Sequence, residues 1–410
     1  MRILIVTAGS RGDVAPYTGL GRRLVEAGHA VAVAAHPPFA GLIDGCGLDH
    51  RPLPGDPREL IRARARAASW EEARAAMGAF LDRLADGVAA AVADGADLVL
   101  TAFGPAALSR VAGEASGTPV IGTFLAPACA TREFPPAGAT DAEDLGPDGN
   151  VAAGQRLLAD AGALQAGAVA GLRTRLGLPP ATSRAATSHT TGADLRPVFH
   201  GFSPLVVPRP ADWPSGVEVA GYWWPARPRD WRPPAELVDF LQAGTPPVFI
   251  GFGSMAPGEG ERLGELVTAA VARAGVRAVV QAGWAGLTAA GDDVLAVGDL
   301  PHDWLFPRTA AVVHHAGAGT TAAGLRAGVP AVPVPAMADQ PFWSARLHRL
   351  GVAPRPLPLH ELTAESLGAA IITCLTEPAL RRRAAELAYA LAEEDGTAAV
   401  LTHIGAVGGG

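Results

Sequence analysis

The 410-residue sequence contains no lysine: all 33 of its basic residues are arginine. That single absence removes Schiff-base chemistry, pyridoxal phosphate attachment and the lysine of a phosphate-binding P-loop. Cysteine is scarce too. Cys46, Cys129 and Cys374 stand far apart, with no CxxC or Cys/His spacing, so neither a structural zinc site nor a disulfide framework is expected. No uninterrupted apolar run reaches the roughly 18–20 residues that span a bilayer. The run before Gly9 is shorter than a signal-peptide core, and a cytoplasmic protein without integral membrane association is expected. With a net charge of −7, there is no basic field to attract nucleic acid.

What is present is apolar and finely punctuated. Hydrophobic residues make up 49% of the chain, enough for sizeable cores, and the length favours more than one domain. RILIV (2–6), AVAVAA (30–35), ADLVLTA (96–102) and TPVIGT (118–123) read as short buried parallel strands. A helix around 15–27, carrying Leu20, Leu24 and Val25, separates the first two and is closed by Gly28. Residues 132–155, polar and rich in Pro, Gly and Asp, read as a mobile loop. The Pro- and Trp-dense run from 203 to 234 excludes a regular helix and reads as a connector. A second strand-and-helix series follows, with strands near 246–254, 277–283, 293–301, 310–317 and 329–335, and a long helix from about 379 to 401. The expected fold is α/β, two tandem Rossmann-like doubly wound domains. Their expected limits are 1–205 for the first domain, 206–234 for the connector, 235–378 for the second domain, and 379–410 for a C-terminal helix crossing back to the first.

Chemistry concentrates in the turns that leave these strands. GSRGD (9–13) offers Ser10 and Arg11 to an anion, with Asp13 at the start of a helix, where it is equally suited to capping. It is not a GxGxxG fingerprint, and no acidic residue ends the second strand, which argues against NAD. GFGSM (251–255) repeats the arrangement with Ser254. AVVHHAGAGTT (311–321) is the most informative: a strand, a turn of alternating small residues and a helix start, which together make an anion nest without a lysine. Adjacent histidines on a strand face opposite sides and do not readily share one metal ion, so one of His314 and His315 is expected to face the core or a neighbouring loop and the other the cleft. In MADQPFW (337–343), Asp339 and Gln340 place several donors and acceptors together, which suits a polyhydroxylated ligand; helix capping is the plainer alternative. Trp304 is most simply a core anchor.

The segment PHDWLFPRTAAVVHHAGAGTTAAGLRAGVPAVPVPAMADQPFW (301–343), together with GSRGDVAPY, GFGSM and GYWW, resembles the UDP-glycosyltransferase superfamily with the GT-B fold. It is most similar to the sterol 3-β-glucosyltransferase branch and to bacterial natural-product glycosyltransferases, including antibiotic-tailoring ones. The resemblance implies an inverting, metal-independent hexosyltransferase. Its donor would be a nucleoside diphosphate sugar, UDP-glucose or a dTDP-sugar, and no cofactor is expected. Its acceptor would be a hydroxyl or nitrogen of a hydrophobic small molecule, a sterol-like or natural-product aglycone. His315, Gly319 and Thr320 match positions that contact the diphosphate. Ala318 lies in the same turn, where some sterol relatives have serine. Leu300 (through its backbone) and His302 match the border of the nucleobase and ribose, and Asp339 and Gln340 the pair on the sugar hydroxyls. Ser10 and Arg11 match positions closing on the donor, Ser254 a phosphate contact, and Asp13 the general base. Ala316 stands where glycine is usual, which is tolerable at a negative φ. The acceptor is expected on the first domain, at parts of 60–90 and 124–155 near Phe80, Phe103, Phe124 and Phe134. The competing readings are a non-catalytic auxiliary that binds nucleotide sugar for a partner transferase, and a GT-B sugar-nucleotide epimerase. Nothing in the sequence sets an oligomeric state.

Overall fold

The computed structural model describes residues 1–66, 69–140, 142–180, 197–255, 258–284, 286–289 and 291–408. Residues 181–196 of the expected first domain, 256, 257, 285 and 290 of the second, 409 and 410 of the C-terminal segment, and 67, 68 and 141 of the acceptor segments lie outside the described residues. The chain divides into two compact units: Met1–Pro136, Glu143–Asp230 and Asp395–Gly410 form unit 1, and Ala137–Ala142 with Trp231–Glu394 form unit 2.

Unit 1 is built on seven parallel strands: β1 (Arg2–Val6), β2 (Ala30–Ala35), β3 (Asp49–Pro52), β4 (Leu98–Thr101), β5 (Val120–Phe124), β6 (Val198–His200) and β7 (Val217–Val219). Their spatial order is β3-β2-β1-β4-β5-β6-β7. In β1 every residue after Arg2 is buried, which is why this strand reads as a continuous apolar run rather than an alternating one. Leu4, Val6 and Val99 pack against Leu84 and Val88 of the helix Trp70–Ala93 and Leu172 of the helix Gly146–Arg175.

Unit 2 carries five parallel strands: β8 (Val248–Gly251), β9 (Ala278–Gln281), β10 (Val294–Val297), β11 (Ala311–His314) and β12 (Ala331–Pro333), in the order β10-β9-β8-β11-β12. Ile250, Val280, Val313 and Val332 bury against Leu263 and Val267 of the helix Gly260–Ala274 and Leu367 and Ile371 of the helix Ala364–Thr376. In each sheet the strand order reverses once, between β1 and β4 and between β8 and β11. Crevices outside the carboxyl ends of strands at such a reversal are where open α/β sheets hold ligands.

Four features depart from the sequence reading. Residues 146–155 are helical, the first turns of the helix Gly146–Arg175. The loop before them is pinned: Asp212 accepts hydrogen bonds from the Thr131 hydroxyl (2.6 Å) and the Arg132 amide (2.8 Å), and Glu133 accepts one from the Ala211 amide (2.6 Å). β7 lies inside the Pro/Trp-rich run, because Val217 and Val219 extend the edge of the first sheet. The C-terminal helix is two helices, Pro378–Ala392 and Ala398–Gly408. Between them Gly396 presses on Gly221 and Tyr222, where a Cβ would stand 2.4 Å from backbone atoms, and its carbonyl accepts the Trp223 indole N–H (2.8 Å). Among the described residues, no helix is long and apolar enough to cross a membrane.

Candidate active site

The turn after β1 is organised around one carboxylate. Gly9 has φ +137°, and a Cβ there would lie 2.4 Å from Asp13 Oδ2, so the position requires glycine on both counts. Ser10 is the N-cap of the helix Arg11–Glu26, and Asp13 is the third residue of that helix, not its cap. The Ser10 amide (2.6 Å) and hydroxyl (2.9 Å) both donate to Asp13 Oδ2, and the Thr7 hydroxyl donates to the Asp13 carbonyl (2.6 Å). Asp13 is open to solvent, yet the protein mass around it desolvates the carboxylate and raises its pKa, against the opposing pull of the Ser10 donors. One turn further, Tyr17 is fully buried and donates its hydroxyl to the Thr123 carbonyl. Burial first, and the charge of Asp13 second, push its phenol up, so it stays neutral. Ser10, Arg11 and Asp13 thus form one group at the β1 end.

Of the four phenylalanines expected near an acceptor, Phe80, Phe124 and Phe134 are core residues. Phe103, in the turn after β4, is 39% exposed and meets Phe124 edge-on at 5.5 Å.

In unit 2, the ends of β8, β11 and β12 converge. His314 is the last residue of β11, paired with Gly251 of β8 and Pro333 of β12, and is fully buried. Its Nδ1 accepts the Ala316 amide (3.0 Å), which leaves the ring proton on Nε2. Burial, with smaller contributions from His315 and His302, lowers its pKa to about 3. His315 leaves the strand and sets its ring between two glycines. A Cβ at Gly253 would lie 2.6 Å from Cε1, and one at Gly317 would lie 2.6 Å from Nε2. Its Nδ1 is buried without a hydrogen bond of good geometry. Burial lowers its pKa to about 4, although the Gly251 backbone favours the protonated ring. Both histidines are therefore neutral at pH 7.

Ala316 has φ +60° and is fully buried. The condition under which this alanine would be tolerated, a negative φ, is not met: it occupies the left-handed region that a glycine would take without strain. The helix Ala318–Ala327 then starts from Gly317, with no side-chain cap and no acidic residue in its first turn. The amides of Ala318, Gly319 and Thr320 have no acceptor within that helix, and all three residues are partly exposed. Ser254 stands in the turn after β8, beside Gly253, and is also partly exposed.

Leu300 is buried, and His302 stacks on Phe306 at 4.3 Å and meets the edge of Phe249 of β8 at 5.6 Å. Trp304 is not a core residue: it is half-buried, edge-on to Trp231 at 5.5 Å, with the Arg308 guanidinium 4.5 Å from its ring. Asp339 precedes the helix Gln340–Arg349 and accepts the Trp343 indole N–H (2.7 Å). Gln340 is buried. Its Oε1 accepts the amides of Ala336 (2.8 Å) and Met337 (3.2 Å), and its Nε2 donates to Met255 Sδ (3.1 Å). Trp343 and Met255 are the site partners that sequence reasoning missed. The i, i+4 spacing of Asp339 and Trp343 is a legible signal; the contact with Met255, 85 residues away, is not. Among the described residues there is no group of three or more His, Cys, Asp or Glu able to hold a metal ion.

Two Rossmann-like units, one ending β1 in a carboxylate turn and the other ending β11 in a histidine-and-amide nest, define a GT-B type protein. Residues 3–135 match the Glycosyltransferase family 28 N-terminal domain, and residues 267–406 match the Erythromycin biosynthesis protein CIII-like C-terminal domain. The chain is 38% identical to the O-mycaminosyltylonolide 6-deoxyallosyltransferase of Streptomyces fradiae, over 97% of this chain and 95% of that one. It is 33% identical to a sterol 3-beta-glucosyltransferase of Arabidopsis thaliana, over 98% of this chain and 67% of that one. The solved glycosyltransferase SsfS6 of Streptomyces sp. SF2575, complexed with thymidine diphosphate, shares the fold with a TM-score of 0.63, at 22% identity over 98% and 99% of the two chains. The chain belongs to the GT-B glycosyltransferase family that contains the bacterial antibiotic glycosyltransferases and the sterol 3-beta-glucosyltransferases.

Proposed function

We propose that the protein transfers a sugar, with inversion, from a nucleoside diphosphate sugar to a hydroxyl or nitrogen of a hydrophobic natural-product or sterol-like acceptor. The observation that carries this reading is the nest at the end of β11. His315 is wedged between Gly253 and Gly317 beside an uncapped helix N-terminus, and this whole group sits at the point where the strand order reverses. The diphosphate is met there by the His315 ring and the amides of Ala318, Gly319 and Thr320, with Ser254 as a further contact. Negative charge opposes the desolvation that keeps His315 neutral, so a bound diphosphate favours the protonated ring. Leu300 and His302 border the nucleoside, Asp339 and Gln340 take the sugar hydroxyls, and Ser10 and Arg11 are further donor contacts.

In the proposed reaction the acceptor atom attacks the anomeric carbon as its bond to the diphosphate oxygen breaks. Asp13 takes the acceptor's proton. Its raised pKa makes it a stronger base than an ordinary carboxylate, and the Ser10 donors fix its orientation. The charge that develops on the leaving group falls on preorganised donors, without a divalent ion. Both UDP- and dTDP-sugars fit this account. The dTDP alternative draws support from the thymidine diphosphate bound in SsfS6, and the glucosyl one from the name of the plant relative.

The test is an aglycone panel incubated with UDP-glucose and dTDP-glucose in the presence of a chelator. Products are read by mass spectrometry and the anomeric configuration by NMR. A β-glycoside from the α-linked donor is expected. An α-glycoside would remove the single-displacement mechanism, and loss of turnover in the chelator would remove the metal-free one.

A further inference from the structure

Gln340 combines two properties that pull against each other. It is the proposed sugar contact, and it is 4% exposed with its side chain already engaged on three sides. The two backbone amides on Oε1 settle which end of the amide group is oxygen, because both are donors. Nε2 must therefore point the other way, and it meets the sulfur of Met255 at 3.1 Å. A side-chain amide nitrogen has two hydrogens. One goes to the sulfur; the other has no partner among the described residues. The direction of that second N–H is fixed by where the first is held.

Met255 belongs to the turn after β8, next to Ser254, whereas Gln340 follows β12. The N–H···S contact therefore joins the loop proposed for the phosphates to the loop proposed for the sugar. Sulfur is a weak acceptor, and a backbone carbonyl or a side-chain oxygen would hold an amide hydrogen more strongly. What the thioether supplies is the direction of the bond, and the ligand hydroxyl takes the other hydrogen of the same amide group, so another acceptor in the same place serves equally.

We infer that Met255 is a positioning residue: its sulfur latches the Gln340 amide so that the remaining N–H is aimed at a hydroxyl of the donor sugar. Gln340 enters here as the sugar contact proposed above, so the two must be tested separately. Met255 touches neither phosphate nor sugar in this account and acts only through Gln340.

The experiment is calorimetric titration of UDP and dTDP, and of UDP-glucose and dTDP-glucose, against the wild type and the variants Met255→Leu, Met255→Gln and Gln340→Ala, with thermal melts to verify folding. Leucine keeps the volume and removes the acceptor. Met255→Leu is expected to weaken the nucleotide sugar roughly three- to tenfold, the worth of one net hydrogen bond, with the free nucleoside diphosphate unchanged. Met255→Gln, which restores an acceptor on a chain of similar length, is expected to recover wild-type affinity for the sugar nucleotide. Gln340→Ala should lose at least as much as Met255→Leu.

Unchanged sugar-nucleotide affinity in Met255→Leu alongside a loss in Gln340→Ala overturns the latch and leaves the sugar contact standing. An equal loss for nucleotide and nucleotide sugar in Met255→Leu also overturns it, since that marks general loosening of the β8 turn. No loss in Gln340→Ala overturns the sugar contact, and the latch with it. Should Met255→Leu not fold, failure of Met255→Gln to match the wild type overturns the latch by itself.

Discussion

The turns after β1 and β11 each border the strand reversal of their sheet, from opposite sides of it, and are wired with opposite polarity. Each leaves a central strand where the strand order reverses and leads into a helix, so each presents the positive end of a helix dipole. After β1 the chain fills that position from within: Asp13 folds back to take the Ser10 amide and hydroxyl, so the helix carries its own anion. After β11 the chain leaves it empty, since Gly317 has no side chain to cap with and the first turn has no acidic residue. A helix start that supplies its own carboxylate has a group that can accept a proton. One that withholds it can receive a phosphate from outside. The two halves of a glycosyl transfer need just those two devices.

Four experiments break or sharpen this contrast. The largest effect belongs to Asp13→Asn, which keeps the shape and removes the proposed base: turnover should fall by about 10²–10⁴, while calorimetric affinity for nucleoside diphosphate stays unchanged. Wild-type turnover in that variant would strip Asp13 of its role. Next is His315→Ala, which leaves the amide nest without its ring; nucleoside diphosphate affinity should drop on the order of 10–100-fold, as for a hydrogen bond to a charged group. If titration shows no change, the phosphate does not sit beside His315.

The third experiment uses pH, where the two turns respond with opposite sign. His314 and His315 have folded pKa values of about 3 and 4, below the ordinary histidine value of 6.5, so their contribution to stability is complete above about 6.5 and is lost as pH falls toward 4. Asp13 is raised in the folded state, so its contribution is present at low pH and is lost as pH rises through its folded pKa. Thermal melts from pH 7.5 to 4.5 should show the wild type losing stability, and a His314→Asn, His315→Gln double variant losing less of it. Parallel losses in the two proteins would place the acid sensitivity elsewhere; buried His200, with a pKa of about 4, is the next group to examine. Turnover over the same range should fall on the acid side as Asp13 is protonated.

The smallest effect is Ala316→Gly. Relief of a left-handed alanine is worth about 1–2 kcal/mol, offset by the greater entropy glycine loses on folding, about 0.5–1 kcal/mol. A gain in stability of about 0–1.5 kcal/mol is therefore expected; a clear loss of Tm would mean that the buried methyl group packs more than it strains.

Much of the scaffold was legible because central parallel strands are buried on both faces and therefore appear as unbroken apolar runs, as in RILIV and AVAVAA. The edge strands of the first sheet were not. β3 is DHRP and β7 is VEV within a run of prolines, and neither carries a pattern that separates it from loop. At Gly396 the glycine of EEDGT and the Asp395–Thr397 turn mark the break within an otherwise Ala- and Leu-rich run, whereas the packing of Gly396 against Gly221 and Tyr222 is not visible locally. At the site, adjacent histidines on a strand end implied one inward and one outward ring, and the structure buries His314 and sets His315 beyond the strand. The φ of Ala316 and the sulfur on Gln340 depend on tertiary contacts that no local pattern encodes.

The seam at Gly396 also bears on recombination. The main segment of the donor-proposed unit, Trp231–Glu394, is along the covalent path an insertion within unit 1, which the chain leaves after Asp230 and re-enters at Asp395. A chimera that exchanges this segment between relatives therefore needs two splice points. The second must carry Gly396 into register with Gly221, Tyr222 and Trp223, because any side chain at that glycine collides with the host backbone.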